Sequence, residues 1–149
     1  MTELELIDTL SRAIAQEEDY FKRGKMPSVS QRCNNPGNLT HWKDRAGVPY
    51  PLNNGFVQFP DEATGWRALR AQCRINVLKR KLSFLEFFAG KPGVYAGFCP
   101  RDDGRSMTRK NDPVRYARNV LTRVAGQAAD AVGINTPIVA LLGASDGTR

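Results

Sequence analysis

The chain has a single histidine, His41, and only three cysteines, Cys33, Cys73 and Cys99. Any Ser-His or Cys-His nucleophilic pair would have to use His41, and no Walker loop is present. The cysteines show no CxxC spacing and no second ligand group nearby, which argues against a zinc site and leaves three free thiols. Nothing in the composition calls for a cofactor. No apolar run approaches the roughly 18 residues of a membrane span. The opening Met1-Thr2-Glu3-Leu4-Glu5 is acidic and helix-like, so a cleaved signal peptide is not expected and synthesis in a cytoplasm is. Acidic residues are the minority, 15 against 22 Lys and Arg, for a net charge of +7. That surplus attracts polyanions such as nucleic acid, teichoic acid, acidic lipid or wall carboxylates, without choosing among them.

What is present is a chain of 149 residues, 41% apolar and 25% charged, the proportions of one globular domain spanning 1–149 and expected to be a monomer. Residues 2–21 read as a helix: Thr2 and Glu5 have capping-box spacing, and Leu4, Ile7, Leu10, Ile14 and Phe21 recur near helical period. Residues 22–38 read as a loop. Two extended runs, 39–42 and 55–59, flank a stretch with Gly47, Pro49, Pro51 and Asn53-Asn54-Gly55, the pattern of a small hairpin with a long loop. A second helix starts after Pro60 with Asp61 as cap and Ala63, Trp66, Leu69, Cys73 and Val77 inward. A third runs from Ser83, boxed with Glu86, to Gly90. An irregular connection covers 91–111. Asp112-Pro113 opens a helix with Val114, Ala117, Val120, Leu121 and Val124 inward, ended by Gly126, and Thr136-Pro137 opens a last short one before a frayed 145–149. The fold class is α+β, mostly α, with one small antiparallel hairpin.

One residue departs from its pattern. Glu18 lies four residues after Ile14, roughly 40° from it on a helical wheel and therefore on the buried stripe. Glu17 lies on the flank. Burial and the negative end of the helix dipole both disfavour the ionised carboxyl, which is the condition a general acid needs at neutral pH. A plainer reading is a helix-edge glutamate paired with Lys22, Arg23 or Lys25.

The residues around it carry a resemblance. Ile14-Ala15-Gln16-Glu17-Glu18 followed by Arg32-Cys33-Asn34-Asn35-Pro36-Gly37-Asn38-Leu39 resembles a lysozyme-like peptidoglycan-cleaving family of phages and bacteria, related to goose-type lysozymes and lytic transglycosylases. Members pair a first-helix glutamate with an R-x-N-N-P-G-N-[LI] segment. Gly55-Phe56-Val57-Gln58-Phe59-Pro60 resembles their G-L-M-Q-[IV] segment, and Tyr116-Ala117-Arg118-Asn119-Val120-Leu121 resembles their late Y-V-x-x-V-L helix. The match runs over about residues 13–125. It departs at Asp19, where the family has Ser or Gly, and in a longer gap between Glu18 and Gln58.

The resemblance implies a lysozyme-like fold and cleavage of the β-1,4 bond between N-acetylmuramic acid and N-acetylglucosamine. Glu18 is then the acid, favoured over Glu17 because wheel and resemblance agree. Asn34, Asn35, Asn38, Gln58, Phe59 and Tyr116 are the expected substrate-binding residues, the Asn-Asn-Pro-Gly-Asn run being good turn chemistry as well. No second carboxylate stands at a family position; Asp44, Asp102 and Asp103 are the loop candidates. That favours a lytic transglycosylase, with hydrolysis by a lysozyme as the alternative. Trp42 and Trp66 are further aromatic candidates, Trp66 for packing. Lys79-Arg80-Lys81 and Arg101, Arg105, Arg109 and Lys110 read as a solvated face able to hold an anionic wall. Such a protein reaches the wall through a holin pore, in a virion or by a secretion machine. Two other classes remain open: a non-catalytic glycan binder, and a DNA-binding virion component, against which stands the lack of a recognition-helix motif.

Overall fold

A computed structural model describes residues 1–99 and 112–144. Arg101, Asp102, Asp103, Arg105, Arg109, Lys110 and the 145–149 end lie outside the described residues. Helix α1 (Glu3–Glu17) begins at the Thr2–Glu5 capping box, and α2 (Val29–Arg32) at a second box formed by Ser28 and Gln31. Strands β1 (Leu52–Asn53) and β2 (Phe56–Val57) form an antiparallel pair. Helix α3 (Glu62–Arg74) is capped by the Asp61 side chain and runs on as a π turn over Ile75–Lys79. Next come α4 (Phe84–Ala89), boxed by Ser83 and Glu86, and α5 (Pro113–Ala125), capped by Asp112. A 3-10 turn, Gly126–Ala128, leads into α6 (Ala129–Val132), and α7 (Ala140–Ala144) follows. The α+β, mostly helical expectation holds.

The main core lies among α1, α3, α4 and α5. Leu6, Ile7, Leu10 and Ile14 of α1 meet Leu69, Cys73 and Val77 of the second long helix and Ala117, Val120 and Leu121 of α5. Phe84, Phe87 and Phe88 fill its lower part. Four predicted stripe residues fall outside it. Ala63 is exposed and Val114 half-buried, each in the first turn of its helix. Leu4, in the first turn of α1, is 71% exposed. Phe21 is 48% exposed, because α1 stops at Glu17 and the chain has turned before it. A smaller cluster of Leu39, Val57, Phe59 and Ala68 sits under the hairpin.

The hairpin is shorter than expected. Asn54 and Gly55 both take positive φ, as a two-residue primed turn requires, so β1 pairs with β2 directly. Residues 39–42 form no strand: Leu39 contributes only its carbonyl, accepting from Val57 N–H at 2.9 Å. The last helix begins at Ala140 rather than beside Pro137, which bridges to Ser83 instead. Arg80 is not a solvated charge: it donates to Asn76 Oδ1 at 2.7 Å and lies over the Tyr95 ring.

Candidate functional site

Glu18 is the C-cap of α1 and is 7% exposed. Asp19 follows at φ +59, Asp19 N–H donates to Gln16 O and Tyr20 N–H to Ala15 O. This is a Schellman turn with aspartate in the left-handed position. The conformation favours glycine, and aspartate tolerates it better than most residues. Asp19 therefore does its work through its backbone, reversing the chain so that Glu18 points inward.

Helix α2 locks this turn. Ser30, fully buried, donates to Glu18 O at 2.8 Å, and Ser28 donates to Asp19 O at 2.9 Å. Neither serine stood among the expected site residues. Their signal is in the sequence, since Ser28-x-x-Gln31 is a capping box inside a stretch otherwise read as loop.

Two side chains from distant segments reach the Glu18 carboxyl. Asn38 Nδ2 donates to Oε1 at 2.9 Å, and the Tyr116 hydroxyl donates to Oε2 at 2.7 Å. Asn38 holds its position through a positive φ of +48. Its Oδ1 is buried with no hydrogen-bond partner among the described residues. Tyr116, expected as a substrate-binding residue, is 2% exposed. It stacks on Phe88 at 4.5 Å. Burial first, and then the charge of Glu18, push its phenol well above the usual range. It therefore stays protonated and remains a donor. Burial of Glu18 favours the neutral carboxyl while the two donors favour the carboxylate.

Tyr116→Phe isolates one of these influences. We expect a stability loss of about 1–3 kcal/mol, because a buried acceptor loses its donor. The midpoint of the Glu18 carboxyl, followed by side-chain NMR, should move to higher pH, since a bond favouring the anion is gone. An unchanged or lowered midpoint would contradict the geometry.

Glu17 is placed differently. Asn119 Nδ2 donates to Oε1 at 2.7 Å and Arg123 pairs with Oε2 at 3.2 Å, so it clamps α1 to α5. A cleft of about 510 Å³ opens beside it, lined among others by Gln16, Glu17, Phe21, Tyr116 and Asn119. Tyr116 thus connects the cleft to the Glu18 carboxyl. Phe21, predicted as core, is an exposed ring at this cleft, backed by Trp66 at 6.0 Å.

The other expected sugar-binding residues make hydrogen bonds within the fold or pack in its core. Asn35 is fully buried: Nδ2 donates to Leu39 O and Val57 O, both at 3.0 Å, and Oδ1 accepts from Leu39 N–H at 2.9 Å. Both donors are spent and the oxygen is out of reach of a sugar. Asn34, at φ +51, donates to Phe59 O at 3.2 Å, and Phe59 is core. Gln58 is half-buried, donating to Arg32 O and accepting from Asn53, which holds the hairpin on the asparagine segment. Asn35→Ala removes three buried hydrogen bonds and takes the side-chain partner from Leu39 N–H and Val57 O, while Leu39 O keeps its bond from Val57 N–H. Its urea midpoint should fall by the equivalent of about 2–4 kcal/mol. A loss within error would return Asn35 to the pool of functional candidates.

Asp44, one possible second carboxylate, directs Oδ1 to Ala46 and Val48 N–H within its own loop. Among the described residues, no three His, Cys, Asp or Glu side chains converge as metal ligands, and no helix is long and apolar enough to cross a membrane. Cys33, Cys73 and Cys99 are free thiols. No protein-family model, curated protein or solved structure matches the chain.

Proposed function

We propose that the chain cleaves peptidoglycan glycan strands, with Glu18 as a single acid–base group. One observation carries the reading. Three segments that resemble the lysozyme-like family, the end of the first helix, the asparagine turn and the tyrosine helix, meet at one buried carboxyl. A structural role alone gives no reason for a carboxyl there, since burying a charge costs several kcal/mol and an apolar side chain would pack the position more favourably.

In the proposed reaction Glu18 protonates the oxygen bridging N-acetylmuramic acid and N-acetylglucosamine. The bond breaks through an oxocarbenium-like transition state. Glu18, now a carboxylate, takes the proton from the C6 hydroxyl of the muramic acid as that oxygen closes on C1. The product is a 1,6-anhydro sugar, and no water is consumed. Tyr116 and Asn38 keep the carboxyl in one orientation through both transfers. Among the described residues this outcome is preferred to hydrolysis, because Glu17 is engaged by Arg123 and Asn119, and Asp44 by its own loop, while Asp102 and Asp103 lie outside the described residues.

Digestion of purified sacculi and mass spectrometry of the products test the reading. Anhydro-muropeptides are expected. Products heavier by one water would identify a hydrolytic muramidase. Absence of released fragments across the pH range would leave a glycan-binding domain without catalysis. Glu17→Gln should keep at least about half of the activity, because it removes one ion-pair partner at the rim.

A further inference from the structure

A second groove, of about 670 Å³, lies between the 42–50 loop and α3. It shares no lining residue with the cleft beside Glu17. Two half-buried rings, Trp42 and Tyr50, line it, together with the exposed cations Lys43, Arg45 and Arg67. The rings are supported from behind. Both pack on the small cluster under the hairpin, and Tyr50 meets Phe59 edge-on at 5.2 Å.

The loop is fixed before any ligand arrives. Tyr50 N–H donates to Trp42 O, Asp44 N–H donates to Val48 O, and Lys43 bridges to Pro49. Asp44, the loop's own acid, turns Oδ1 onto two backbone N–H groups. Preorganisation of this kind lowers the ordering cost of binding.

The charges are unbalanced at this place. Among the described residues, none of Lys43, Arg45 and Arg67 belongs to an ion pair. On the same helix, Arg70 is paired with Asp8 and Arg74 with Glu3. Arg67 donates only to Thr64 Oγ1, at 3.2 Å. The nearby Asp61 is held below the usual carboxylate range mainly by hydrogen bonds from Thr64, with the Arg67 charge the smallest contribution. Three cations thus outnumber the acid that lines the groove with them, Asp44, whose Oδ1 is held by its own loop.

We propose that this groove binds an acidic saccharide unit, its ring face on Trp42 or Tyr50 and its carboxylate or phosphate against Arg67 and the Lys43–Arg45 edge. A guanidinium fork matches either anion, and aromatic faces take the apolar side of a pyranose ring. The volume is within the range of small-ligand sites and accommodates one or two sugar rings. It would give the protein a second hold on an anionic wall polymer, and only that choice of polymer rests on the glycan-cleaving reading.

The test is a titration of the 15N-labelled full chain, following the indole N–H signals of Trp42 and Trp66, which Trp42→Phe assigns. The probes are the disaccharide N-acetylglucosaminyl-β-1,4-N-acetylmuramic acid, N-acetylglucosamine 6-phosphate and neutral chitobiose. The disaccharide's internal bond is not the one proposed for cleavage, so a protein without catalytic activity can still pass. At least one acidic sugar should move the Trp42 signal, with a Kd about tenfold below that of chitobiose, weakening as salt is raised. Arg67→Gln should remove most of that preference, and Arg45→Gln part of it. A response to the disaccharide identifies the peptidoglycan carboxylate as the source, and a response to the phosphate alone identifies a phosphate-bearing polymer. The proposal is overturned by equal affinity for acidic and neutral sugars, by no response to either acid, by shifts confined to Trp66, or by an Arg67→Gln variant that titrates like the parent.

Discussion

Glu18→Gln should lower the rate of glycan release from sacculi by roughly 10³-fold, within the 10²–10⁴ that a positioned general acid contributes. The substitution keeps the shape of the side chain and removes its transferable proton. Folding should survive it. Tyr116 O–H can donate to the amide oxygen as it now donates to Oε2, and the amide NH2 can meet Asn38 Oδ1, a buried acceptor with no hydrogen-bond partner among the described residues, if the Asn38 amide turns over. The amide is neutral, as the protonated carboxyl is, so the substitution adds no desolvation cost. If Glu18 is the acid of the proposed reaction, the melting temperature should therefore stay level or rise slightly while activity falls. Parallel loss of melting temperature and activity would make Glu18 a structural group. Full activity in a well-folded Glu18→Gln variant would end its assignment as the acid.

Much of this architecture is legible in the residues, and the reasons differ by element. Helix starts were readable wherever a side chain satisfies the free N–H groups of the first turn: Thr2 with Glu5, Asp61, Ser83 with Glu86, and Asp112 before Pro113. Such caps are local, so a short window of sequence contains them. Helix α2 has an equally good cap but only four residues, too few for an apolar period to show. The π turn after α3 has no local signal that we can identify. Residues 39–42 have strand-like composition, yet the Asn54-Gly55 turn closes the hairpin so tightly that Leu52 takes the place opposite Val57.

The site was legible in part for the same physical reason. A wheel gives the direction of Glu18, and four residues after Ile14 that direction is inward. Depth is a tertiary property. Tyr116 is buried because Phe88 of α4 stacks on it and α1 crosses α5 there, and the α5 sequence contains neither fact. The asparagines separate only by their partners. Asn34, Asn35 and Asn38 offer identical amides, but Asn35 faces the backbone of Leu39 and Val57 while Asn38 faces a carboxylate. In the asparagine turn the positive φ values fall on Asn34 and Asn38 rather than on Gly37, and Gly37 is small because a Cβ there would lie 2.7 Å from Leu69 Cδ1.

Gly65→Ala should be the most destabilising single-methyl change among these glycines, for the same kind of reason. In the interior of a helix, replacing glycine by alanine ordinarily gains up to about 1 kcal/mol. Here the new Cβ would stand 1.8 Å from the carbonyl oxygen of Asn34 and 3.0 Å from Pro36 Cδ. The atom in the way is main chain, in a segment fixed by Asn35 and by the Phe59 N–H bond to Cys33 O, so it cannot rotate aside as a long side chain would. Either α3 or the asparagine turn must shift. Overpacking of this severity reverses the sign of the helix preference and should leave a net loss of roughly 3 kcal/mol, near 10 °C in melting temperature for a domain of this length. The displacement also acts on chemistry, because the turn that Gly65 supports carries Asn38 to Glu18. In any fraction that still folds, glycan release should fall further than stability alone accounts for. A Gly65→Ala protein that melts at or above the parent temperature would mean that the close approach of α3 to Asn34 does not exist in solution, and with it the support that brings Asn38 to Glu18.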